Sequence, residues 1–185
     1  SLTIMKLKET SLKDCVVIEP TLFSDARGYF YEKFNEKTFE SLTGSNGHFV
    51  QDNVSKSSYG VLRGIHLQKG AHAQAKLVSC LEGSVYDVAV DLRPGSATFG
   101  KWFGIELSAE NKLQLYVPRG FGHGFSVLSE TAVFSYKCDN YYNKEAEGGI
   151  LWNDPELNID WGLPLKDIIV SDKDKVQPFF RDKNF

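Results

Sequence analysis

A chain of 185 residues with 42% hydrophobic residues can bury an apolar core without a disulfide or metal staple. A formal charge of -3 excludes a generic nucleic-acid binder, so an anionic ligand has to be held by a few local cations. No apolar run reaches the ~20 residues of a membrane span. The opening SLTIMKLKET has neither an h-region nor a small-residue cleavage site, so no export signal is expected. Cys15, Cys80 and Cys138 lack CxxC or CxxH spacing, which points to reduced thiols and a cytoplasmic location.

In chain order, short apolar or alternating runs recur between turn signals. Residues 15–19 form the first, and 29–34 follow the DARG turn. The stretch 35–42 reads as a helix, with Asn35 as N-cap and Phe39 and Leu42 on one side. Residues 61–67 follow Tyr59-Gly60. The runs 75–81 and 85–92 are separated by Glu82-Gly83-Ser84, a hairpin-like connection. Within the second of these, Val85, Asp87, Ala89 and Asp91 alternate with Tyr86, Val88, Val90 and Leu92, the period of a strand. Runs at 102–107, 113–117, 124–128 and 132–138 continue the series. From Asp154 onward, with Pro155, Pro164 and Pro178, the chain reads as irregular. There is no internal repeat and no low-complexity linker. Many short strands and little helix predict one all-β domain over residues 1–185, a barrel or jelly roll.

The polar residues that interrupt these runs are the candidates for chemistry. LRGIHLQ carries Arg63, His66 and Gln68, and two-residue spacing puts His66 and Gln68 on one face. Taken alone, His66 suits a satisfied core histidine as well as a catalyst. Lys76 opens the apolar run AKLVSC, where it either points into a barrel or snorkels from a sheet edge. His123 lies in PRGFGHGF, and Pro118-x-Gly120-x-x-His123 has the form of the second metal-binding motif of cupins, small jelly-roll barrels. A metal cupin also needs His-x-His and a nearby Glu. Here the first element is His66-Leu67-Gln68, and the next carboxylate is Glu82, so no catalytic metal is expected. In FSYKCDNYYN, Tyr136, Tyr141 and Tyr142 suit proton donation, stacking or plain strand packing. Asp172 and Asp174 in SDKDK are either solvated tail charges or a carboxylate partner that fixes the His66 tautomer.

Over residues 16–174 the chain resembles the dTDP-4-dehydrorhamnose 3,5-epimerase family. The resemblance rests on FSDARGYFYE, FVQDNVSKS, VLRGIHLQ, QAKLV, GSVYDVAVDLR, TFGKWFGIELSAENKLQLYVPRGFGHGF, YKCDNYYN and ILWNDPELNIDW, in that order. It implies a cupin-like jelly-roll barrel with a few short helices. It also implies epimerisation at C3 and C5 of a dTDP-linked 4-keto-6-deoxy sugar through an enolate, with no metal and no cofactor. By the same resemblance His66 is the base and Asp174 its partner, with Asp172 as the alternative. Tyr136 is the acid on the far face, and Lys76 is the cation at O4. Arg63 and His123 belong to the polar pocket, and Arg27 grips the diphosphate. Phe23, Glu32, Gln51, Asn53 and Tyr142 hold nucleotide and sugar, with Tyr142 stacked on thymine and Glu32 hydrogen-bonded to it. A homodimer is implied, with residues 1–60 as amino-terminal strands and dimer arm, 61–140 as barrel core and 141–185 as a carboxy-terminal segment. One departure is HLQ, where many members carry an aromatic after the histidine; Leu67 is expected to face away from His66. Related enzymes that invert only C3 or C5, or that use another nucleotide, share these motifs. A metal-dependent cupin and a silent sugar-nucleotide-binding module fit them less well.

Overall fold

The computed structural model describes residues 3–45 and 48–185. Its first strands are β1 (Met5–Glu9), β2 (Val16–Pro20), β3 (Phe23–Asp25) and β4 (Gly28–Phe30), followed by helix α1 (Glu36–Thr43). Then come β5 (Gln51–Ser58), β6 (Val61–Gln68), β7 (Lys76–Glu82), β8 (Ser84–Asp91) and β9 (Trp102–Ser108). The chain continues through β10 (Gln114–Val117), β11 (Phe121–Val127), β12 (Thr131–Cys138), β13 (Glu147–Gly149), β14 (Ile169–Val170) and helix α2 (Asp172–Lys175). One sheet has the order β1-β2-β10-β7-β12-β5, and a second has the order β13-β6-β11-β8-β9 with β14 parallel to β6. β3 and β4 form a separate hairpin.

From β5 to β12 the chain changes sheet at every step except β8 to β9. This alternation is the jelly roll, and it explains why the Glu82-Gly83-Ser84 connection is not a hairpin. β7 pairs with β10 and β12, whereas β8 pairs with β11 and β9. The turn is a corner between sheets, and Gly83 is needed there: its φ is +74°, and a Cβ would stand 2.2 Å from the Thr131 carbonyl oxygen.

Both faces of the second sheet are buried. Val85 and Ala89 of β8 join Val78, Leu115, Phe125 and Phe134 between the sheets. Val88, Val90 and Leu92, on the other face, pack with Ile150, Leu157, Trp161 and Val170 of the carboxy-terminal segment. Leu67 packs in this outer cluster with Ile65, on the side away from the interior. Burying such side chains contributes about 1.5–3 kcal/mol each. Asp154 ties the covering segment down: it accepts the backbone N–H groups of Glu156, Leu157 and Phe180 at 2.9, 2.9 and 2.8 Å.

The helix expected at 35–42 is α1, capped by Asn35 Oδ1, which accepts Thr38 N–H at 3.0 Å. The strand expected at 29–34 is confined to Gly28–Phe30. Residues from Asp154 onward are less irregular than expected, since they include β14 and α2. No helix among the described residues is long and apolar enough to cross a membrane.

Candidate active site

A cavity of about 540 Å³ opens between the sheets, lined among others by Arg63, His66, Lys76, His123, Tyr136, Lys173 and Asp174. A second cavity of about 290 Å³ adjoins it and is lined by Gln51, Asn53, Gln68, Tyr142 and Glu147. His66, Lys76 and Tyr136 line both and therefore form the neck between them. His66 projects from β6 of the second sheet, while Lys76 and Tyr136 project from β7 and β12 of the first.

His66 Nε2 lies 2.6 Å from Asp174 Oδ1, and Asp174 Oδ2 accepts the Gly64 N–H at 3.1 Å. Asp174 is 3% exposed, whereas the Asp172 side chain is fully in solvent, so the carboxylate beside His66 is Asp174. Local chain chemistry selects it. Ser171 is the N-cap of α2 and its Oγ accepts Asp174 N–H at 3.2 Å. β14, just before, is pinned to β6 through Ile169↔Val61 and Val170↔Leu62. Burial by itself would raise the Asp174 carboxyl, but the hydrogen bond and charge of His66, with Gly64 N–H, hold it below its ordinary value. An ionised carboxylate only accepts, so Nε2 carries a proton, and in the neutral imidazole the lone pair is then on Nδ1.

Lys76 is not an edge lysine: β7 lies between β10 and β12. Its Nζ stands 5.5 Å from the centroid of the Tyr136 ring. Burial pushes the ammonium down from its ordinary pKa, against Cys138, Asp87 and Glu147, which raise it. Burial likewise raises the Tyr136 phenol, opposed by a hydrogen bond with Asn53, its cross-strand neighbour on β5. The phenol therefore stays protonated at neutral pH.

His123 stands opposite His66 in the β6–β11 register, and its Nε2 lies 2.7 Å from Asp87 Oδ1. Each imidazole thus has its own carboxylate, and among the described residues no group of three His, Cys, Asp or Glu side chains is placed to hold a metal ion. Arg63 Nε donates to Ser57 Oγ at 3.1 Å. Gln51 Nε2 donates to Asn53 Oδ1 at 3.1 Å, and Gln51 Oε1 accepts Tyr142 N–H at 3.1 Å. Gln68 does not point at a ligand alone: its Oε1 accepts Asn143 N–H and its Nε2 donates to the carbonyls of His72 and Tyr141, bracing the loop that carries Tyr142.

Three of the expected residues are not brought to this cavity by the single chain. Phe23 and Arg27 line a separate depression of about 350 Å³ on the β3–β4 hairpin, where Arg27 is paired with Asp25. Glu32 Oε1 accepts from Asn35 Nδ2 at 3.2 Å. Conversely, sequence reasoning missed Asp87, Glu147 and Lys173. Glu147 accepts from Tyr142 Oη at 2.9 Å and from Lys173 Nζ at 2.7 Å, joining the two cavities' rims. For Asp87 the signal was available: a carboxylate in mid-strand between Val85 and Ala89 on one face, with Asp91 at the strand's end.

The arrangement defines a class, a jelly-roll protein of the cupin type whose interior presents an imidazole–carboxylate pair on one sheet and a phenol and an ammonium on the other. Residues 9–182 match the dTDP-4-dehydrorhamnose 3,5-epimerase family, and the chain belongs to that family. A dTDP-4-dehydrorhamnose 3,5-epimerase of Shigella flexneri is 54% identical over 170 residues, covering 92% of this chain and 93% of the relative. The crystal structure of the enzyme of that name from Elizabethkingia anophelis NUHP1 superposes with a TM-score of 0.96 at 73% identity, covering 99% of this chain and 100% of that one. A dTDP-6-deoxy-D-glucose-3,5-epimerase of Legionella pneumophila Philadelphia 1, crystallised with dTDP-4-keto-L-rhamnose, superposes with a TM-score of 0.91 at 48% identity, covering 96% and 93%.

Proposed function

We infer that this chain epimerises C3 and C5 of dTDP-4-dehydro-6-deoxy-D-glucose, giving dTDP-4-dehydro-L-rhamnose in dTDP-L-rhamnose biosynthesis. The observation that carries the mechanism is the placement of His66 and Tyr136 on opposite walls of one cavity. Both carbons flank the C4 carbonyl. His66 Nδ1 takes the proton from C5, the C–H electron pair moves into the C4 carbonyl, and the resulting enolate carries its charge on O4. Lys76 donates to that oxygen; one preorganised donor of this kind is worth about 2.7–4 kcal/mol. Tyr136 delivers its phenolic proton to the opposite face of C5, the carbonyl re-forms, and both groups re-equilibrate with solvent. The same cycle at C3 completes the inversion. Each positioned acid or base contributes roughly 10²–10⁴-fold.

Around this centre, His123 forms the polar wall beside the sugar, Arg63 completes the polar pocket, and Gln51 and Asn53 hold the sugar and nucleotide. Tyr142, which is 56% exposed, stacks on the thymine. Phe23, Arg27 and Glu32 reach the site of a second copy, so that the working form is a homodimer with the β3–β4 hairpin as its arm. The exposure of that hairpin supports this: none of its residues is buried in the single chain. Arg27 then meets the diphosphate as a bidentate fork, and Glu32 hydrogen-bonds the thymine.

Incubation with the keto sugar in deuterated water, followed by proton NMR, tests the reading. Deuterium at both C3 and C5 is expected; label at one carbon only refutes the double epimerase. His66→Ala is expected to abolish exchange while leaving dTDP affinity within a few-fold, and wild-type turnover in that variant sinks the assignment of the base.

A further inference from the structure

Behind the cavity, the mechanism above leaves one buried carboxylate unused. Asp87 is 0% exposed and faces the interior from β8, among Val78, Val85, Ala89, Phe125 and Phe134. Its Oδ1 takes the His123 contact at 2.7 Å, and its Oδ2, also buried, has no hydrogen-bond partner among the described residues. A carboxylate in such surroundings stays ionised only when a cation offsets its lost hydration.

The cation at hand is Lys76. No hydrogen bond or ion pair reaches its Nζ among the described residues; its near neighbour is the Tyr136 ring. The groups that act on it come from several elements: Asp87 from β8, Glu147 from β13 and Cys138 from β12. His66, His123, Arg63, Lys173 and Asp174 share its cavity. Of the three carboxylates, Glu147 already serves Lys173 and Tyr142, and Asp174 serves His66 and Gly64. Only Asp87 keeps an oxygen uncommitted. Burial raises the Asp87 carboxyl, opposed first by the charge and hydrogen bond of His123 and then by the charge of Lys76, while Asp87 in turn favours the charged lysine.

We propose that Asp87 is a positioning residue that supplies the countercharge keeping Lys76 an ammonium, while its other oxygen fixes the His123 ring through Nε2. The inference rests on Lys76 being the cation that meets the O4 enolate. Without Asp87, burial would strip the proton from Lys76 at lower pH, and the enolate would lose its donor. With Asp87 ionised, its negative charge stands beside both the Lys76 ammonium and the His123 ring before substrate enters.

The test reads Lys76 directly. Reductive methylation with ¹³C-formaldehyde labels the lysines, and Lys76→Arg assigns the Lys76 resonance for NMR titration. Asp87→Asn is expected to move the Lys76 midpoint to lower pH by about one to three units, the range for losing an opposite charge nearby. The alkaline limb of deuterium exchange at C3 and C5 is expected to move by the same amount. In a Lys76→Arg background, where residue 76 is always charged, Asp87→Asn adds no such shift. Asp87→Glu, which keeps the charge, holds the midpoint near that of the wild type and serves if the asparagine variant does not fold. An unchanged Lys76 midpoint in Asp87→Asn overturns the proposal, as does an equal shift of the limb in the Lys76→Arg background. A moved midpoint with unaltered exchange would instead refute the role of Lys76 at O4 and leave the coupling to Asp87 standing.

Discussion

Replacing Asp174 by Asn changes one atom of the buried pair and forces a choice on it. The carboxylate accepts two donors at once, His66 Nε2 at 2.6 Å and Gly64 N–H at 3.1 Å. An amide has a single carbonyl. If that oxygen stays on Gly64, the NH₂ faces Nε2, which must then become the acceptor, and the proton moves to Nδ1, the atom needed as base. If the amide rotates to keep the His66 tautomer, its NH₂ confronts the Gly64 N–H, leaving a buried donor unpaired at a cost of about 1–3 kcal/mol. In either case the imidazolium formed on proton removal loses a charge-assisted hydrogen bond worth about 1.5–3 kcal/mol. The two losses together, about 2.5–6 kcal/mol, correspond to a fall of roughly 10²–10⁴-fold in exchange at C3 and C5. The assay is the initial rate of deuterium incorporation under saturating substrate, with calorimetric dTDP binding as the control for an intact pocket. Exchange within about tenfold of wild type would refute the reasoning.

Tyr136→Phe is expected to spare proton removal more than completed epimerisation, seen as wash-in of deuterium without inversion; equal loss of both counts against the phenol as acid. Combining Arg27→Ala and His66→Ala subunits by co-expression tests the shared site. If Arg27 serves the partner's cavity, random pairing makes about half the dimers mixed, each with one intact site, and about a quarter of wild-type activity returns; no recovery argues that Arg27 acts elsewhere. Asp91 provides a pH prediction. Burial opposes its ionisation, but hydrogen bonds from Arg93, Ser96 and Thr98 hold its carboxyl at about 2, below the ordinary 3.8. The folded state therefore binds fewer protons than the unfolded chain between those values. The contribution is present above pH 3.8 and lost as pH falls toward 2. Urea titrations of wild type and Asp91→Asn are expected to converge on acidification, and a constant gap would contradict this.

The strands that pack on the interior were legible because one face alternates with the other; β8 and β12 announce themselves in this way. β5 (QDNVSKSS) does not, because it is the edge of its sheet and largely exposed. Gly83 marks a turn in the sequence, but whether a turn returns to the same sheet or crosses to the other depends on pairings of distant segments. The four-residue α2 is too short to form alone. It stands because Ser171 caps it and β14 anchors it to β6. The pattern Ser171-x-x-Asp174 is a helix-start signature, and it would have singled out Asp174 over Asp172. His66, Lys76, Tyr136 and His123 were visible as polar residues within apolar runs. That Phe23, Arg27 and Glu32 lie apart from them in one chain is a matter of tertiary placement that local pattern does not encode.

Inversion at carbon needs an acid and a base that face each other across the ring, and a jelly roll supplies that spacing ready-made. Packed sheets stand about 10 Å apart, a gap that a pyranose ring fills when one side chain reaches in from each wall. His66 extends from the second sheet and Tyr136 from the first, into the same cavity. C3 and C5 lie symmetrically about C4, so a single cation at O4, the role proposed for Lys76, serves the enolate formed at either carbon. Strands thus carry His66, Lys76 and Tyr136, while Tyr142 and the β3–β4 hairpin, proposed to grip the nucleotide, lie on exposed segments. Asp174 is the exception, a carboxylate that meets His66 from a short helix and not from a strand. Its precision comes from β14, whose two pairs with β6 place α2 against the same strand that bears His66.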